Sequence, residues 1–208
     1  MDWKIKYRPT TLGDVAIPDG YRKLFDGFLN GNYTPNLLLV GPPGKGKTTI
    51  AKILSNKIGD IFVNGSEYSC YENMSKLLAS CTSYPLDGNR RIVVIDEAEK
   101  ISPKAFDYLR GAMERYSVIN TFIFTVNDKS KMDKAILSRL KEINFNFDLN
   151  DHPEVIEKLR ERIYRILEIE GIVLDEKVKF NVDFIIKNQR IDYRGLMGEL
   201  QAMCFDIN

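Results

Sequence analysis

Cysteine, histidine and tryptophan are scarce in this chain of 208 residues, which has three, one and one of them. Cys70, Cys81 and Cys204 are odd in number and show no CxxC spacing, which argues against a disulfide framework and a zinc ribbon. They read as reduced thiols serving as small buried hydrophobes. The lone histidine, His152, sits between Asp151 and Pro153 at an apparent helix start, a place for capping or surface exposure more than catalysis. No apolar run reaches membrane-spanning length, and the charged start MDWKIKYRP lacks the apolar core of a secretory leader, so the expected location is cytoplasmic with no membrane contact. A large net charge is also missing: the total is +1, unlike a general nucleic-acid binder. The charge is nevertheless uneven. Residues 1–60 hold nine Lys/Arg against five Asp/Glu, whereas residues 148–208 hold nine against thirteen.

With 44% hydrophobic and 28% charged residues the composition suits a core of one moderate domain, or one domain with a small appendage. Tyr21, Leu24, Phe25, Phe28 and Leu29 have amphipathic helical spacing, with Gly31 to end the helix. Leu37 to Val40, Ile61 to Val63, Ile92 to Ile95 and Thr121 to Val126 are short continuous apolar runs, the pattern of buried parallel strands. Helical patterns lie between them: Ile50 to Ile58 ending at Gly59, and Phe106, Leu109, Met113 and Tyr116 after a Ser102 cap and Pro103. Glu142 to Phe147 alternates with period two and predicts a further strand. Three helical stripes follow: Val155 to Leu167 ending near Gly171, Val178 to Ile186, and Tyr193 to Cys204. The expectation is an α/β fold with a parallel sheet flanked by helices over residues 1–148, then a small three-helix unit over 149–208.

The stretch NLLLVGPPGKGKTTIAKIL carries the strongest chemical signal. Gly41, Gly46, Lys47 and Thr48 satisfy G-x-x-x-x-G-K-[ST] directly between a predicted strand and a predicted helix. Glycines let backbone N–H groups turn inward around phosphate oxygens, and the helix N-terminus adds its positive end. Lys47 is placed to reach β- and γ-phosphates and the Thr48 hydroxyl to hold Mg²⁺. The strand RRIVVID ends in Asp96 and Glu97; one carboxylate suits the Mg²⁺ side and the next suits polarising a water, which favours hydrolysis over phosphoryl transfer to a metabolite. Asn127, at the end of TFIFTVND, is expected to share the site with Gly44 and Asp96, because parallel strands end at one edge.

GPPGKGKTT, VVIDEAEK, TVND, LSRL and DYRGLMGEL occur in the order of the Walker A, Walker B, sensor 1, arginine-finger and sensor 2 motifs of AAA+ P-loop ATPases. The start DWKIKYRPTTLGDV, with VNGSE and LRGAMERYS, resembles clamp loader subunits, in particular the replication factor C small subunits and the ATPase subunit of T-even-type bacteriophage clamp loaders. The resemblance implies that Gly41, Pro42, Pro43, Gly44, Lys45, Gly46, Lys47, Thr48 and Thr49 bind ATP. It further implies that Asp96 and Thr48 serve Mg²⁺, Glu97 is the catalytic base, Asn127 is sensor 1 and Arg194 is sensor 2. Arg139 resembles the finger that reaches a neighbouring subunit's nucleotide, and Tyr7, Arg8, Pro9, Val15 and Ile17 would line the adenine pocket. Leu140 stands where the family's finger motif has cysteine, Lys45 where threonine is commoner, and the family's helical collar has no counterpart in these residues.

By the same resemblance the function is that of an ATPase subunit of a sliding-clamp loader, active in an oligomer, with other loader subunits, the clamp and primer–template DNA as partners. Tyr71, Lys76, Ser102, Lys104 and Arg110 are the implied DNA contacts, to duplex backbone more than sequence. Its location would be the cytoplasm, of the host cell if phage-encoded. Other AAA+ machines, such as helicase loaders or remodelling ATPases, are opposed by KYRP and by Ser138-Arg139; a P-loop kinase by Glu97; a non-catalytic scaffold by intact Lys47, Asp96 and Glu97.

Overall fold

The computed structural model describes residues 1–56, 59–85, 90–188 and 192–207. In chain order the elements are α1 (Trp3–Lys6), α2 (Asp19–Leu29), β1 (Leu37–Val40), α3 (Lys47–Leu54), β2 (Ile61–Asn64), α4 (Tyr71–Ser80), β3 (Arg91–Asp96), α5 (Pro103–Arg115), β4 (Asn120–Val126), α6 (Lys134–Leu137), β5 (Lys141–Asn144), α7 (Pro153–Ile169), α8 (Glu176–Asn188) and α9 (Tyr193–Ile207). The strands form one parallel sheet in the order β2-β3-β4-β1-β5. Strand alternation divides its side chains between two layers. Leu38, Val93, Phe122 and Phe124 pack against Met74, Leu77 and Leu78 of α4 and Phe106 and Leu109 of α5. Leu37, Leu39, Val94 and Ile123 pack against Phe25 and Phe28 of α2 and Ile50 and Leu54 of α3. This explains the apolar run of β1 and the Phe122-Ile123-Phe124 centre of β4: both faces are covered, and each large aliphatic side chain removed from water contributes about 1.5–3 kcal/mol.

A third cluster joins α7, α8 and α9 through Val155, Leu159, Ile163, Val182, Ile186 and Leu200, and takes in Trp3 and Ala16 from the N-terminal segment. That segment therefore crosses onto the helical layer. Arg162 of α7 ties it there by donating to the carbonyls of Asp14 at 2.5 Å and Tyr7 at 2.7 Å. Among the described residues no helix is long and apolar enough to cross a membrane.

Several boundaries differ from the sequence pattern for local reasons. α3 starts at Lys47, since Gly46 with φ +89° turns the chain into it, and ends at Leu54; Lys57 and Ile58 lie outside the described residues. β5 stops at Asn144, whose side-chain oxygen accepts the Asn146 N–H at 2.8 Å, so the predicted strand to Phe147 is cut short by an Asx turn. α4 falls where the apolar pattern predicts no element; its stripe is only Met74, Leu77 and Leu78. Cys81 and Cys204 are buried, but Cys70 is exposed, correcting the expectation for that thiol; it precedes α4, where the chain is still at the surface. Ser102 caps α5 by accepting the Ala105 N–H at 3.3 Å, whereas His152 precedes α7 without a side-chain cap, its ring edge-on to Phe147.

Arg91 opens β3 as a buried cation. Its guanidinium donates to the carbonyls of Gly59 at 3.0 Å, Ser80 at 2.6 Å and Ser83 at 3.1 Å, closing the end of α4 against the sheet edge. Arg91→Met keeps the apolar stem but orphans these acceptors, and is expected to cost about 3 kcal/mol. Thermal unfolding should show it as a fall in Tm of about 6–12 °C; an unchanged Tm would mean that water replaces the cation without penalty.

Candidate functional site

A cavity of about 310 Å³ opens at the carboxyl edge of the sheet, between the tips of β1, β3 and β4, the N-terminal segment and α9. One end is polar, with Lys47, Thr48, Asp96, Glu97, Asn127 and Arg194; the other carries Tyr7, Pro9, Val15, Ala16 and Met197. Of the residues expected in the loop, Pro43 to Thr49 line the cavity, whereas Gly41 and Pro42 do not. Tyr7, Arg8, Pro9 and Val15 also line it. Ile17 does not: it is 1% exposed and packs with Phe25 in the core, and Ala16 takes the lining position. Arg139 is outside the cavity.

The loop after β1 takes its shape from backbone conformations that glycine tolerates. Gly44 has φ +79°, and a Cβ there would run into the Asp192 carboxylate just before α9. The Gly44 carbonyl in turn accepts the Tyr193 N–H at 3.1 Å, and the Tyr193 hydroxyl donates to the Ala16 carbonyl. The loop, the start of α9 and the N-terminal segment are thus joined around the cavity. Burial pushes the Tyr193 hydroxyl well above the usual range, so it stays a neutral donor.

Lys47 points back into its own loop, donating to the carbonyls of Gly41 at 2.6 Å and Pro42 at 2.8 Å and to Asn127 Oδ1 at 3.1 Å. Burial lowers its pKa, with the charges of Glu99 and Asp96 opposing the shift. A single Asp96 oxygen, Oδ1, accepts from Thr48 Oγ1 at 2.8 Å and Thr125 Oγ1 at 2.5 Å, and Thr125 Oγ1 accepts the Glu97 N–H at 3.0 Å. Thr125 therefore couples the β4 tip to both acidic residues. Arg8 reaches Thr49 Oγ1 at 3.4 Å, and Arg194 lies in the first turn of α9, its backbone N–H donating to Asp192 Oδ1 at 3.0 Å.

Glu97 is the one non-glycine residue with positive φ among those described, at +55°. Such a conformation costs about 1–3 kcal/mol and persists where surrounding contacts impose it. Here the Gly65 N–H donates to Asp96 O at 2.6 Å and the Lys100 N–H to Glu97 O at 3.1 Å. The Glu97 carboxylate accepts from Lys100 Nζ at 2.5 Å and Asn64 Nδ2 at 3.3 Å, which hold its pKa below the usual range. A Cβ at Gly65 would stand 2.6 Å from the Glu97 carbonyl oxygen. Gly65→Ala is therefore expected to displace the Asp96–Glu97 turn by a fraction of an ångström. In a steady-state assay with partner subunits, it should lower any turnover at this site by about 10²-fold while the chain stays folded by circular dichroism; parental turnover would separate the turn from the chemistry.

Asn64, Glu99, Lys100, Thr125 and Ala16 contribute contacts that the sequence reading left unassigned. Two had a usable signal. Asn64 is the last residue of β2 and pairs in register with Asp96, and Thr125 lies two residues before Asn127, on the same side of an extended strand.

Away from the cavity, Arg139 follows α6 and is braced by Glu114 at the end of α5, which accepts from Nε at 3.1 Å and also from Nη2, while the Ala135 carbonyl accepts from Nη1. The Tyr71 and Tyr108 rings meet at a tilt of 57° with centroids 5.0 Å apart, and Lys104 Nζ lies 5.3 Å from the Tyr71 ring. Lys76 is exposed on α4, Ser102 is engaged in its cap, and Arg110 pairs with Asp107 at 3.0 Å.

This sheet order, glycine loop and acidic strand tip are those of a nucleotide-handling α/β ATPase fold. Residues 37–148 match the family described as ATPase family associated with various cellular activities, and the chain belongs to this AAA family. It is 31% identical over 205 residues to the sliding-clamp-loader large subunit of Enterobacteria phage T4, covering 95% of this chain and 63% of that protein. It is 32% identical over 221 residues to the replication factor C small subunit of Aeropyrum pernix, covering 99% and 63%. The chain thus spans less than two thirds of either relative. Among solved structures, the Thermotoga maritima RuvB Holliday junction branch migration motor superposes with a TM-score of 0.73 at 20% identity, covering 93% of this chain and 64% of that one, a likeness of fold.

Proposed function

We propose that this chain binds ATP with Mg²⁺ and hydrolyses it as the ATPase subunit of a sliding-clamp loader, opening the DNA polymerase clamp and placing it on primer–template DNA. The observation that carries the chemistry is the convergence of Lys47, Thr48, Asp96 and Glu97 on one wall of the cavity. The clamp-loader assignment is supported by the likeness to the phage T4 and Aeropyrum pernix proteins. In this reading residues 1–148 are the nucleotide-binding part and residues 149–208 the lid.

Each residue then has a task. Backbone N–H groups of the loop and the start of α3 cradle the phosphates, and Lys47 exchanges its loop carbonyls for phosphate oxygens. Thr48 and Asp96, already hydrogen-bonded to each other, would hold Mg²⁺, a cation that needs few protein ligands when phosphates are present. The metal supplies charge neutralisation when bound. Glu97 takes the proton of the attacking water; because Lys100 holds it at low pKa, that contact has to loosen first. Asn127 and Arg194 meet the terminal phosphate, and Tyr7, Pro9, Val15 and Ala16 the base. Tyr71, Lys76, Ser102, Lys104 and Arg110 face DNA, with Lys104 and Tyr71 already adjacent.

The reading is tested by turnover against protein concentration, with and without partner subunits, clamp and primed DNA. Turnover should rise with assembly and with primed DNA plus clamp. A dilute lone chain as fast as the full mixture would sink the reading.

A further inference from the structure

Asn127 stands one residue beyond the end of β4, where the strand ladder no longer fixes its backbone. Glu99 does so instead. Its Oε1 accepts both the Asn127 backbone N–H at 3.1 Å and the side-chain Nδ2 at 2.8 Å, and on the other side Asn127 Oδ1 accepts from Lys47 Nζ at 3.1 Å. A carboxylate can only accept and an ammonium can only donate, so the amide between them has one permitted orientation. Glu99 achieves this at a cost, because its other oxygen, Oε2, is buried without a donor among the described residues. The hydrogen bonds that the residue gives the site therefore lie at Oε1.

We infer that Glu99 is a positioning residue that sets the Asn127 amide against the terminal phosphate of the nucleotide. The inference rests on the ATP-site reading above. An amide nitrogen carries two hydrogens; Glu99 takes one, and the second is left to donate to a phosphate oxygen while the anchor holds. Glu99 thus separates nucleotides by their third phosphate without touching one. Diphosphate binding, which does not reach Asn127, is indifferent to it.

Competition against a fluorescent nucleotide, with Mg²⁺ present, gives the affinities of the full chain for ADP and a non-hydrolysable ATP analogue. Glu99→Ala should lower the preference for the triphosphate about fivefold with ADP affinity unchanged. Glu99→Gln, which still accepts at the same place, should restore it. Asn127→Ala should match Glu99→Ala, and the double variant should be no weaker than Asn127→Ala alone. Equal loss of both nucleotides, full additivity of the two alanine variants, or a parental preference in Glu99→Ala would each overturn the inference. Lys47→Ala marks the other failure: if it keeps parental affinity for the analogue, the ATP-site reading falls instead.

Discussion

Glu97→Gln is expected to reduce ATP turnover by about 10²–10⁴-fold while nucleotide affinity stays within about twofold of the parent. Glutamine has the shape of glutamate and keeps an oxygen for the Asn64 amide, but it cannot take a proton from water. The loss of charge also breaks the pair with Lys100. Both side chains of that pair are substantially exposed, at 50% and 38%, so little stability depends on it. The positive φ at this position is held by the Thr125 hydroxyl and by backbone contacts that the substitution leaves in place. Binding groups and turn geometry are therefore preserved and only the base is removed. Phosphate release in the stimulated assembly, set beside a fluorescent-nucleotide titration, reads the two effects separately. Undiminished phosphate release would remove Glu97 from the chemistry; a parallel collapse of affinity would make it a binding residue.

The parts of this site that were legible in sequence are those whose chemistry constrains neighbouring positions. Gly44, Gly46, Lys47 and Thr48 must be consecutive or nearly so because one loop has to present successive N–H groups, an ammonium and a hydroxyl to one phosphate chain. Asp96 and Glu97 were legible because an apolar strand ending in two carboxylates is costly unless its tip reaches solvent or a cation. The contacts that completed the site run between elements. Asn64 meets Glu97 only because β2 lies beside β3 in a given register, and Glu99 meets Asn127 only because β3 lies beside β4. Register is a tertiary property, and apolar runs this uniform do not specify it. Ile17 and Ala16 show the same limit on a smaller scale: without knowing which side of an extended segment the core takes, residue parity is undetermined. The fold followed the opposite logic. β1, β3 and β4 were plain in sequence because burial on both faces leaves apolar stretches such as Leu37 to Val40, Ile92 to Ile95 and Phe122 to Phe124, while β2, the edge strand, offers only Ile61 to Val63, with Phe62 38% exposed.

An equimolar mixture of the Glu97→Gln and Arg139→Ala chains is expected to hydrolyse ATP when each alone does not. An arginine finger is worth about 10³–10⁵ in rate, so if Arg139 is such a finger, as we propose, Arg139→Ala should be nearly as inactive as Glu97→Gln although its cavity is untouched. Arg139 is absent from the cavity that holds Lys47 and Glu97, and Glu114 and the Ala135 carbonyl hold it on the α5–α6 side of its own chain. If that cation completes the site of the next protomer, the contact is head to tail, each chain giving a finger one way and receiving one the other way. A chain lacking Glu97 can still give its finger, and a chain lacking Arg139 can still offer an intact site. With random assembly about a quarter of such contacts join a good finger to a good site, so the mixture should recover about that fraction of the parental rate in the presence of partner subunits and primed DNA. Titrating one variant into the other should give a bell-shaped activity curve with its maximum near equal amounts. A mixture as silent as its components would rule out donation between protomers, and parental turnover by Arg139→Ala alone would show that the guanidinium has no part in hydrolysis.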